Sequence, residues 1–311
     1  MNEPNGTRNA ARANSRAVIV RAYGAMVASN VLLAFGPWFV RLADVSPLAS
    51  GFWRLALAVP LLLALTRIAR QPLPRISPRL LAILMIGGIC FAVDLGAWHV
   101  GILHTKLANA ALFGNLAAFL LPLCGFIAAA RLPGRLQGAA MLLALIGTVL
   151  LLGRSYELSA RYLRGDLLCI MAGIFYTGYF LAMGRARGAM QPLPALFVST
   201  LAGSVPLLLF AIAEGGPLIP HIWWPVIALA VGSQVIGQGL MMYALGHLSP
   251  LVMGLGLLIQ PFFAAAIGSI RYGEPLGLAD IAGGLAICVA LVLVRASESG
   301  QARRAQLGSD T

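Results

Sequence analysis

Three ionisable side chains stand inside long apolar stretches of this 311-residue chain: Arg54, Asp94 and His99. A charged group near the middle of a bilayer costs roughly 2.5–3.5 kcal/mol on insertion scales, so it usually pairs with another group or lines a polar cavity. Two interpretations stay open for Arg54 and Asp94. They form a structural or coupling pair that fixes helix packing, or Asp94 binds a cationic group or relays a proton. For His99 the alternatives are a cavity-lining role and a hydrogen bond to backbone.

Amide and aromatic side chains add further contacts that a small solute could use. Gln234 and Gln238 share one helical face, which would be too polar to lie against lipid. Aromatic rings bind flat or cationic solutes through π contacts and cation–π attraction. The alternatives are glutamines that only join helices and aromatic rings that lie in the interfacial belt. The candidate substrate-binding residues are Trp38, Asp94, Trp98, His99, Asn115, Tyr176, Tyr179, Gln234, Gln238 and Tyr243.

Proline and glycine inside apolar stretches indicate places where a helix could bend. Proline removes a backbone donor and crowds the preceding turn, and glycine weakens a helix. We predict that Pro122, Gly254, Gly256 and Pro261 take part in gating, with Pro122 and Pro261 each breaking a span. Most other glycines are expected to allow close helix packing.

The elements that must position these residues are membrane-spanning helices. Hydrophobic residues make up 59% of the chain, charged residues only 10%, and the mean hydropathy is +0.87. Apolar runs of about 20 residues recur from Ala22 to Val294, and that length matches a hydrocarbon core of ~30 Å. The sequence therefore predicts an all-α polytopic membrane protein with ten transmembrane helices.

The charge distribution predicts the orientation of these helices. The net charge is +12, which in a soluble protein would suggest nucleic acid. Most of the Lys and Arg residues lie in the two tails and in the connections after the second, fourth and sixth spans. By the positive-inside rule both termini are cytoplasmic, in a bacterial-type inner membrane. We therefore expect the lipid bilayer, and no nucleic acid, as a partner.

Several function classes are excluded by what the sequence lacks. No glycine-rich loop ends in Gly-Lys-Ser or Gly-Lys-Thr, so hydrolysis of ATP by this chain is not expected. No His-Glu-x-x-His is present, the four histidines do not cluster, and the four cysteines all fall in apolar runs. We expect no catalytic residue, no metal and no cofactor, and therefore a protein that is not an enzyme.

The two halves of the chain are related to each other. At one constant offset, Gly96, His104 and Phe119 align with Gly239, His247 and Phe262, and the spans of both halves stay in step. Five helices per half is an odd number, so the second half crosses the membrane in the opposite sense. Such inverted repeats are typical of secondary transporters, with the binding site near the midplane.

This division predicts four parts of the chain. A cytoplasmic N-terminal tail covers residues 1–21, and a first five-helix repeat covers 22–153. A second, inverted repeat covers 165–295, and a cytoplasmic C-terminal tail covers 296–311.

Several motifs carry a resemblance to a known family. In the first half they are Leu32–Arg41, Ser46-Pro47 and Phe52-Trp53-Arg54; in the second half they are Gly165-Asp166-Leu167-Leu168 and Pro261 with Gly273-Glu274-Pro275. With these motifs the chain resembles the ten-helix EamA-type branch of the drug/metabolite transporter (DMT) superfamily. Asp94, Trp98-His99, Thr105, Ala108-Asn109-Ala110 and Asn115-Leu116 are similar to the YddG-like subgroup of aromatic amino acid and methyl viologen exporters. The chain departs from the pattern at Ala118 and Arg131, which align with Pro261 and Glu274.

The resemblance implies a basket of ten helices whose cavity is walled by the first, third, fourth, sixth, eighth and ninth spans. It implies export, by alternating access, of aromatic or hydrophobic amino acids, related amphipathic solutes and flat organic cations. The alternatives are a DMT-type transporter of a purine, a nucleoside or a drug, and a membrane enzyme or scaffold that transports nothing. A small-molecule substrate is the expected partner, a proton is the candidate coupling ion, and a monomer is the expected state.

Overall fold

The chain is all helical over the residues that the computed structural model describes, which are 4–105, 110, 113–152, 159–272 and 277–309. These residues contain no β-strand. The helices are Pro4–Ala34, Gly36–Leu42, Pro47–Ile68, Pro78–His104, Ala117–Ala128, Arg135–Leu152, Leu163–Arg187, Pro192–Glu214, Trp224–Ala228, the π-helical Leu229–Gly237, Gln238–Leu245, Pro250–Leu257, Ile259–Tyr272 and Leu278–Ser309.

Within the described ranges, eight stretches of helix are long and apolar enough to cross a membrane, and two shorter apolar helices complete the set. In chain order, and as numbered from first to tenth below, the spans are Ala17–Leu42, Pro47–Ile68, Pro78–His104, the shorter Ala117–Ala128 and Arg135–Leu151, Leu163–Arg187, Pro192–Glu214, Trp224–Leu245, Pro250–Arg271 and Leu278–Glu298. The predicted fold class, an all-α polytopic membrane protein, is confirmed. The first helix begins at Pro4 and the last continues to Ser309, so both predicted tails are largely helical.

Three spans begin at the same dipeptide, which explains where their helices start. Proline suits the first position of a helix, and the preceding serine hydroxyl accepts a backbone N–H that would otherwise lack a partner. These dipeptides are Ser46-Pro47, Ser77-Pro78 and Ser249-Pro250, and their serine oxygens accept from the backbone N–H of Ala49, Leu80 and Val252.

The most extensive helix contacts join the two halves of the chain. The third span packs on the sixth and the seventh, the fifth on the tenth, the second on the seventh and the eighth, the fourth on the ninth and the first on the eighth. Exchanging each span with the one five places later turns the third–sixth pair into the eighth–first pair and the third–seventh pair into the eighth–second pair, and it leaves the other pairs unchanged. This is the contact pattern of two related five-helix units. The exact repeat boundaries, 22–153 and 165–295, stay predictions.

The fourth and ninth spans are interrupted at aligned positions. The ninth is interrupted at Leu258, between helices Pro250–Leu257 and Ile259–Tyr272, because Pro261 has no N–H for the carbonyl of Leu257 and its ring crowds that carbonyl. In the fourth span, turn residues Asn115 and Leu116 precede helix Ala117–Ala128. They align with Leu258 and Ile259, so both halves are interrupted at the same place.

The interruption of the fourth span lies upstream of the residue that we predicted to cause it. Pro122 is inside the continuous helix Ala117–Ala128. Proline exerts its effect one turn earlier, where it deprives the carbonyl of Ala118 of a donor. The chain immediately before that turn is tightened, because the N–H of Leu116 bonds to the carbonyl of Phe113 at 3.1 Å. The helix therefore begins just before Ala118 and runs through the proline.

Candidate functional site

A cluster of polar and aromatic side chains lies inside the bundle around Arg54, which is only 7% exposed. Its Nε donates to Oε1 of Gln234 on the eighth span, at 3.2 Å. Its guanidinium carbon lies 5.6 Å from the ring centre of Phe91 on the third span. Arginine suits such a place, because its planar, weakly hydrated cation can stack on a ring and donate at its edge at once.

Asp94 lies beside this arginine, one helical turn after Phe91. The two charges are close enough to interact. Among the described residues, however, Asp94 forms no hydrogen bond or ion pair, and 9% of its surface is exposed. The structure therefore brings the predicted Arg54 and Asp94 into one cluster, while the hydrogen bond of Arg54 goes to Gln234. An intramembrane carboxylate without a direct partner is available to a solute.

Aromatic rings form one wall of the cluster. The rings of Phe91 and Tyr179 are stacked at 4.6 Å with an interplanar angle of 23°. The rings of Tyr176 and Tyr179 lie 6.1 Å apart and within 5° of parallel. Tyr179 is fully buried, whereas Tyr176 is only half-buried. Tyr176 can therefore present a ring to a solute, and Tyr179 supports it from behind.

The two predicted glutamines have different surroundings. Gln234 is fully buried, and its Nε2 donates to the hydroxyl of Thr200 at 3.0 Å, so both ends of its amide have partners. Gln238 donates through Nε2 to the hydroxyl of Tyr176 at 3.4 Å. Within the described part of the chain, Oε1 of Gln238 is buried and accepts no hydrogen bond. Because buried acceptors are nearly always paired, that oxygen is the more obvious ligand contact of the two.

His99 is hydrogen-bonded to the start of the second span, and none of these bonds goes to Asp94 or Gln234. Its Nδ1 lies 2.8 Å from the carbonyl oxygen of Pro47 and 3.3 Å from the hydroxyl of Ser50, at the start of the second span. A carbonyl can only accept, so Nδ1 carries the proton. His99 thus connects the third span to the second by hydrogen bonds. This agrees with the alternative in which the histidine bonds to backbone and does not line the cavity.

Trp98 and Asn115 form a second group, between the third and fourth spans. The indole of Trp98 lies against Gly114, so closely that a Cβ at that glycine would be 3.0 Å from the ring. Asn115 follows directly, at the interruption of the fourth span. Both side chains are half-buried. This places them beside a possible bend rather than beside Arg54.

The remaining predicted aromatic residues lie near opposite ends of the bundle. Trp38 contacts Phe35 and Phe39, and the guanidinium carbon of Arg271 lies 5.9 Å from its ring centre. Tyr243 packs on His247 with ring centres 4.6 Å apart. Neither belongs to the cluster around Arg54.

Close contacts between the fourth and ninth spans surround the predicted gating residues. A Cβ at Gly254 would lie 2.5 Å from the ring of Pro122 and 2.6 Å from the carbonyl oxygen of Ala118. Gly256 is equally close to the sulfur of Met26 on the first span, at 2.4 Å. Only glycine fits at position 254, because a proline ring and a backbone carbonyl are next to it, whereas a larger residue at position 256 would require Met26 to move. The contacts at Gly254 lie near the start of the ninth span, where this span packs closely on the fourth.

Two members of the cluster, Phe91 and Thr200, were absent from the predicted site. Phe91 could have been found, because it lies one turn before Asp94 on the same helical face and aligns with Gln234. Thr200 gives no such signal, since threonine is common in apolar helices. Among the described residues, no three His, Cys, Asp or Glu side chains are grouped to bind a metal ion.

Comparisons with known proteins agree with this architecture. Residues 163–296 match the EamA-like transporter family. One solved structure, described only as the crystal structure of a protein, superposes with a TM-score of 0.70 over 89% of this chain and 96% of its own, at 17% sequence identity. Identity that low supports the fold alone. No curated protein sequence matches the chain. The resemblance to EamA-type transporters is confirmed over the matched residues, whereas the exporter subgroup stays a prediction.

Proposed function

We propose that the protein is a secondary active transporter that exports aromatic or hydrophobic amino acids and related small amphipathic solutes, including flat organic cations, across the inner membrane by alternating access. The observation that carries the proposal is one cluster containing a buried cation, a stack of aromatic rings and a carboxylate that has no direct partner among the residues that the structure describes. A zwitterion with a flat side chain offers a complementary group to each of the three.

The charged residues take the two poles of the solute. Arg54 receives the carboxylate, because its terminal nitrogens are donors that suit two carboxylate oxygens. Asp94 receives the ammonium group or the charge of an organic cation. The charges of these two residues already interact, so a bound zwitterion adds no net charge to the membrane interior.

The aromatic wall takes the apolar part of the solute. Tyr176 is half-buried and stacked in a series with Tyr179 and Phe91. Offset stacking of a further ring contributes about 0.5–1.5 kcal/mol beyond the apolar area that it buries. The amide oxygen of Gln238, next to Tyr176, accepts a hydrogen bond from a ring N–H or an ammonium group.

The interrupted fourth and ninth spans support the alternating-access step. Spans that bend at equivalent positions in both repeats can open and close the two sides of one site in turn. The glycine–proline contact between them closes the end that carries the chain termini. With cytoplasmic termini, as the charge distribution predicts, we expect a solute to reach the cluster from outside in this conformation.

Transport by purified protein tests the proposal. Liposomes with the protein and an internal store of unlabelled tryptophan should accumulate labelled tryptophan by exchange, and protein-free liposomes should not. Tyr176→Leu should weaken apparent affinity about two- to tenfold, as expected for one lost ring contact. Glu214→Gln, at the exposed end of the seventh span, is the matched control and should behave as the parent does.

Two outcomes would contradict the proposal. Protein that is folded by size-exclusion chromatography yet exchanges no aromatic or hydrophobic amino acid and no methyl viologen is not this transporter. Exchange of purines or nucleosides alone would assign a different substrate class. Repeating the assay with and without a pH gradient determines whether a proton is the coupling ion.

A further inference from the structure

Both polar atoms of Gln234, which the sequence predicts as a ligand, have hydrogen-bond partners in the protein. Its Oε1 accepts from Nε of Arg54 at 3.2 Å, and its Nε2 donates to Oγ1 of Thr200 at 3.0 Å. Its exposed fraction is zero, and that of Thr200 is zero as well. A fully buried side chain whose two polar atoms both have partners in the protein does not contact a solute. Its effect on a bound solute must act through Arg54.

The three residues come from three different spans. Arg54 lies on the second span, Thr200 on the seventh and Gln234 on the eighth. The second and seventh spans pack on each other extensively. This packing fixes the positions of Thr200 and Arg54 relative to one another, independently of Gln234. The hydrogen bonds then run from the seventh span through the amide to the guanidinium.

The backbone around Gln234 is specialised for this task. Residues Leu229–Gly237 form a π-helical segment, a rare geometry that occurs most often at functional sites. The hydroxyl of Ser29 on the first span donates to the carbonyl of Gly237 at 2.7 Å, where the segment ends. A wider helical turn changes the direction of the side chains that it carries. It is the segment with Gln234, and not the rest of the span, that has this geometry.

The hydrogen bond to Nε decides how the guanidinium is oriented. Arginine has five N–H donors in a flat, rigid fork. With Nε tied to Gln234 and one face of the fork against Phe91, rotation about the last side-chain bonds is restricted. The two terminal nitrogens are then held in one plane. A carboxylate needs that plane to bind through both oxygens.

We propose that Thr200 and Gln234 are positioning residues that orient Arg54, and that this pair gives the transporter its preference for solutes with a carboxylate. The inference rests on the proposed function, because it needs Arg54 to receive the carboxylate of the solute. It differs from the sequence-based prediction, in which Gln234 touches the solute itself. It also adds Thr200, which that prediction did not include.

Tryptophan and tryptamine share the indole and the amine, and only tryptophan has a carboxylate. The concentration for half-maximal exchange of each should therefore be measured for the parent, Thr200→Val, Thr200→Ser and Gln234→Met. At similar side-chain size, Thr200→Val removes one hydrogen bond and Gln234→Met removes two. Both variants should raise the half-maximal concentration of tryptophan about three- to tenfold. The half-maximal concentration of tryptamine should change less than about twofold in these two variants. Thr200→Ser retains the hydroxyl, so the ratio of the half-maximal concentrations of tryptophan and tryptamine should equal that of the parent.

Maximum exchange rates, normalised to folded protein, should stay within about twofold of the parent, since the change is one of binding. Equal weakening of tryptophan and tryptamine in Thr200→Val and Gln234→Met would show a merely structural role and overturn the inference. An unchanged ratio in both variants, with a parent that prefers tryptophan, would overturn it and leave the proposed function intact. A parent that exchanges no aromatic or hydrophobic amino acid and no methyl viologen would overturn both.

Discussion

The third and eighth spans occupy equivalent positions in the two halves of the chain, yet they differ in backbone and in charge. The third is α-helical throughout Pro78–His104, whereas the eighth contains the π-helical segment Leu229–Gly237. Phe91 of the third aligns with Gln234 of the eighth, and both contact Arg54. A buried cation is thus contacted by two residues at matching positions, one through a ring and the other through an amide.

The comparison teaches that internal symmetry fixes where a side chain lies but not what chemistry it has. Asp94 aligns with Gly237, at the end of the π-helical segment. A Cβ at Gly237 would lie 3.1 Å from the carbonyl oxygen of Gly232 and 3.3 Å from the side chain of Leu33. The eighth span therefore has little room for a carboxylate at that position. The site has its negative charge on one repeat only.

In the fourth and ninth spans, by contrast, the backbone is alike and the sequence differs. Their sequences are unlike at the critical position, Ala118 against Pro261, but both are interrupted at aligned places. Proline accounts for the interruption directly in the ninth span. In the fourth, Pro122 lies inside the helix Ala117–Ala128, and the interruption before it is marked by short-range hydrogen bonds such as that from the N–H of Ala118 to the carbonyl of Asn115.

Removing the positive charge of Arg54, which both the third and the eighth span contact, should have the largest effect. Arg54→Leu should weaken exchange of aromatic amino acids about 10- to 100-fold, since hydrogen bonds to charged groups contribute about 1.5–3 kcal/mol. It also leaves Asp94 without a nearby positive charge. Compared with Arg54→Leu alone, the double variant Arg54→Leu with Asp94→Asn should be more stable to unfolding. Its apparent affinity for aromatic amino acids should stay low. Arg185→Gln, on the exposed end of the sixth span, is the control. Parental affinity in Arg54→Leu would remove this residue from the site.

Neutralising the charge that the third span alone carries should have a smaller effect. Asp94→Asn keeps the size of the side chain and should weaken amino acids about three- to tenfold, because the amide still accepts a hydrogen bond. Methyl viologen, which has no carboxylate for Arg54, should be weakened more than tryptophan. The two apparent affinities, measured in one preparation, check this order. A variant that exchanges both solutes as the parent does would exclude Asp94 from binding.

A methyl group at the contact between the fourth and ninth spans tests whether their close packing closes one end. Gly254→Ala should lower stability by about 1–3 kcal/mol, because the added carbon overlaps with Pro122 and the carbonyl of Ala118. Gly184→Ala is the matched control, since a Cβ there meets no atom within 4 Å. The melting temperatures of both variants give the comparison. Equal values would show that the two spans can separate without cost.

The smallest expected effect concerns the end of the π-helical segment. Ser29→Ala removes the hydrogen bond to the carbonyl of Gly237 and should cost about 0.6 kcal/mol, the average for such bonds inside membranes. Thr148→Val is the control, because the hydroxyl of Thr148 bonds to Ala144 within the regular fifth span. Melting temperatures should fall more for Ser29→Ala. A larger fall for Thr148→Val would mean that the π-helical segment does not depend on Ser29.

Much of the fold follows from local sequence, and so does the identity of the polar residues. An apolar run of about 20 residues can satisfy its backbone within a bilayer only as a helix, so the spans can be read without knowing their neighbours. Arg54, Asp94 and Gln234 are conspicuous in such runs for the same reason. The start of the second span at Ser46-Pro47 is equally local, because the cap and the proline act within one turn.

The sequence by itself therefore determined the helices, their number and the few polar groups among them. Only the tertiary structure decided which groups meet: Arg54 binds Gln234, His99 binds Pro47, and Thr200 completes a chain of hydrogen bonds. The π-helical geometry of the eighth span was likewise decided by the tertiary structure. Partners on different spans are far apart in sequence, and a helix can rotate to present several faces. Side-chain partners are thus fixed by how the helices pack together, and no single span contains that information.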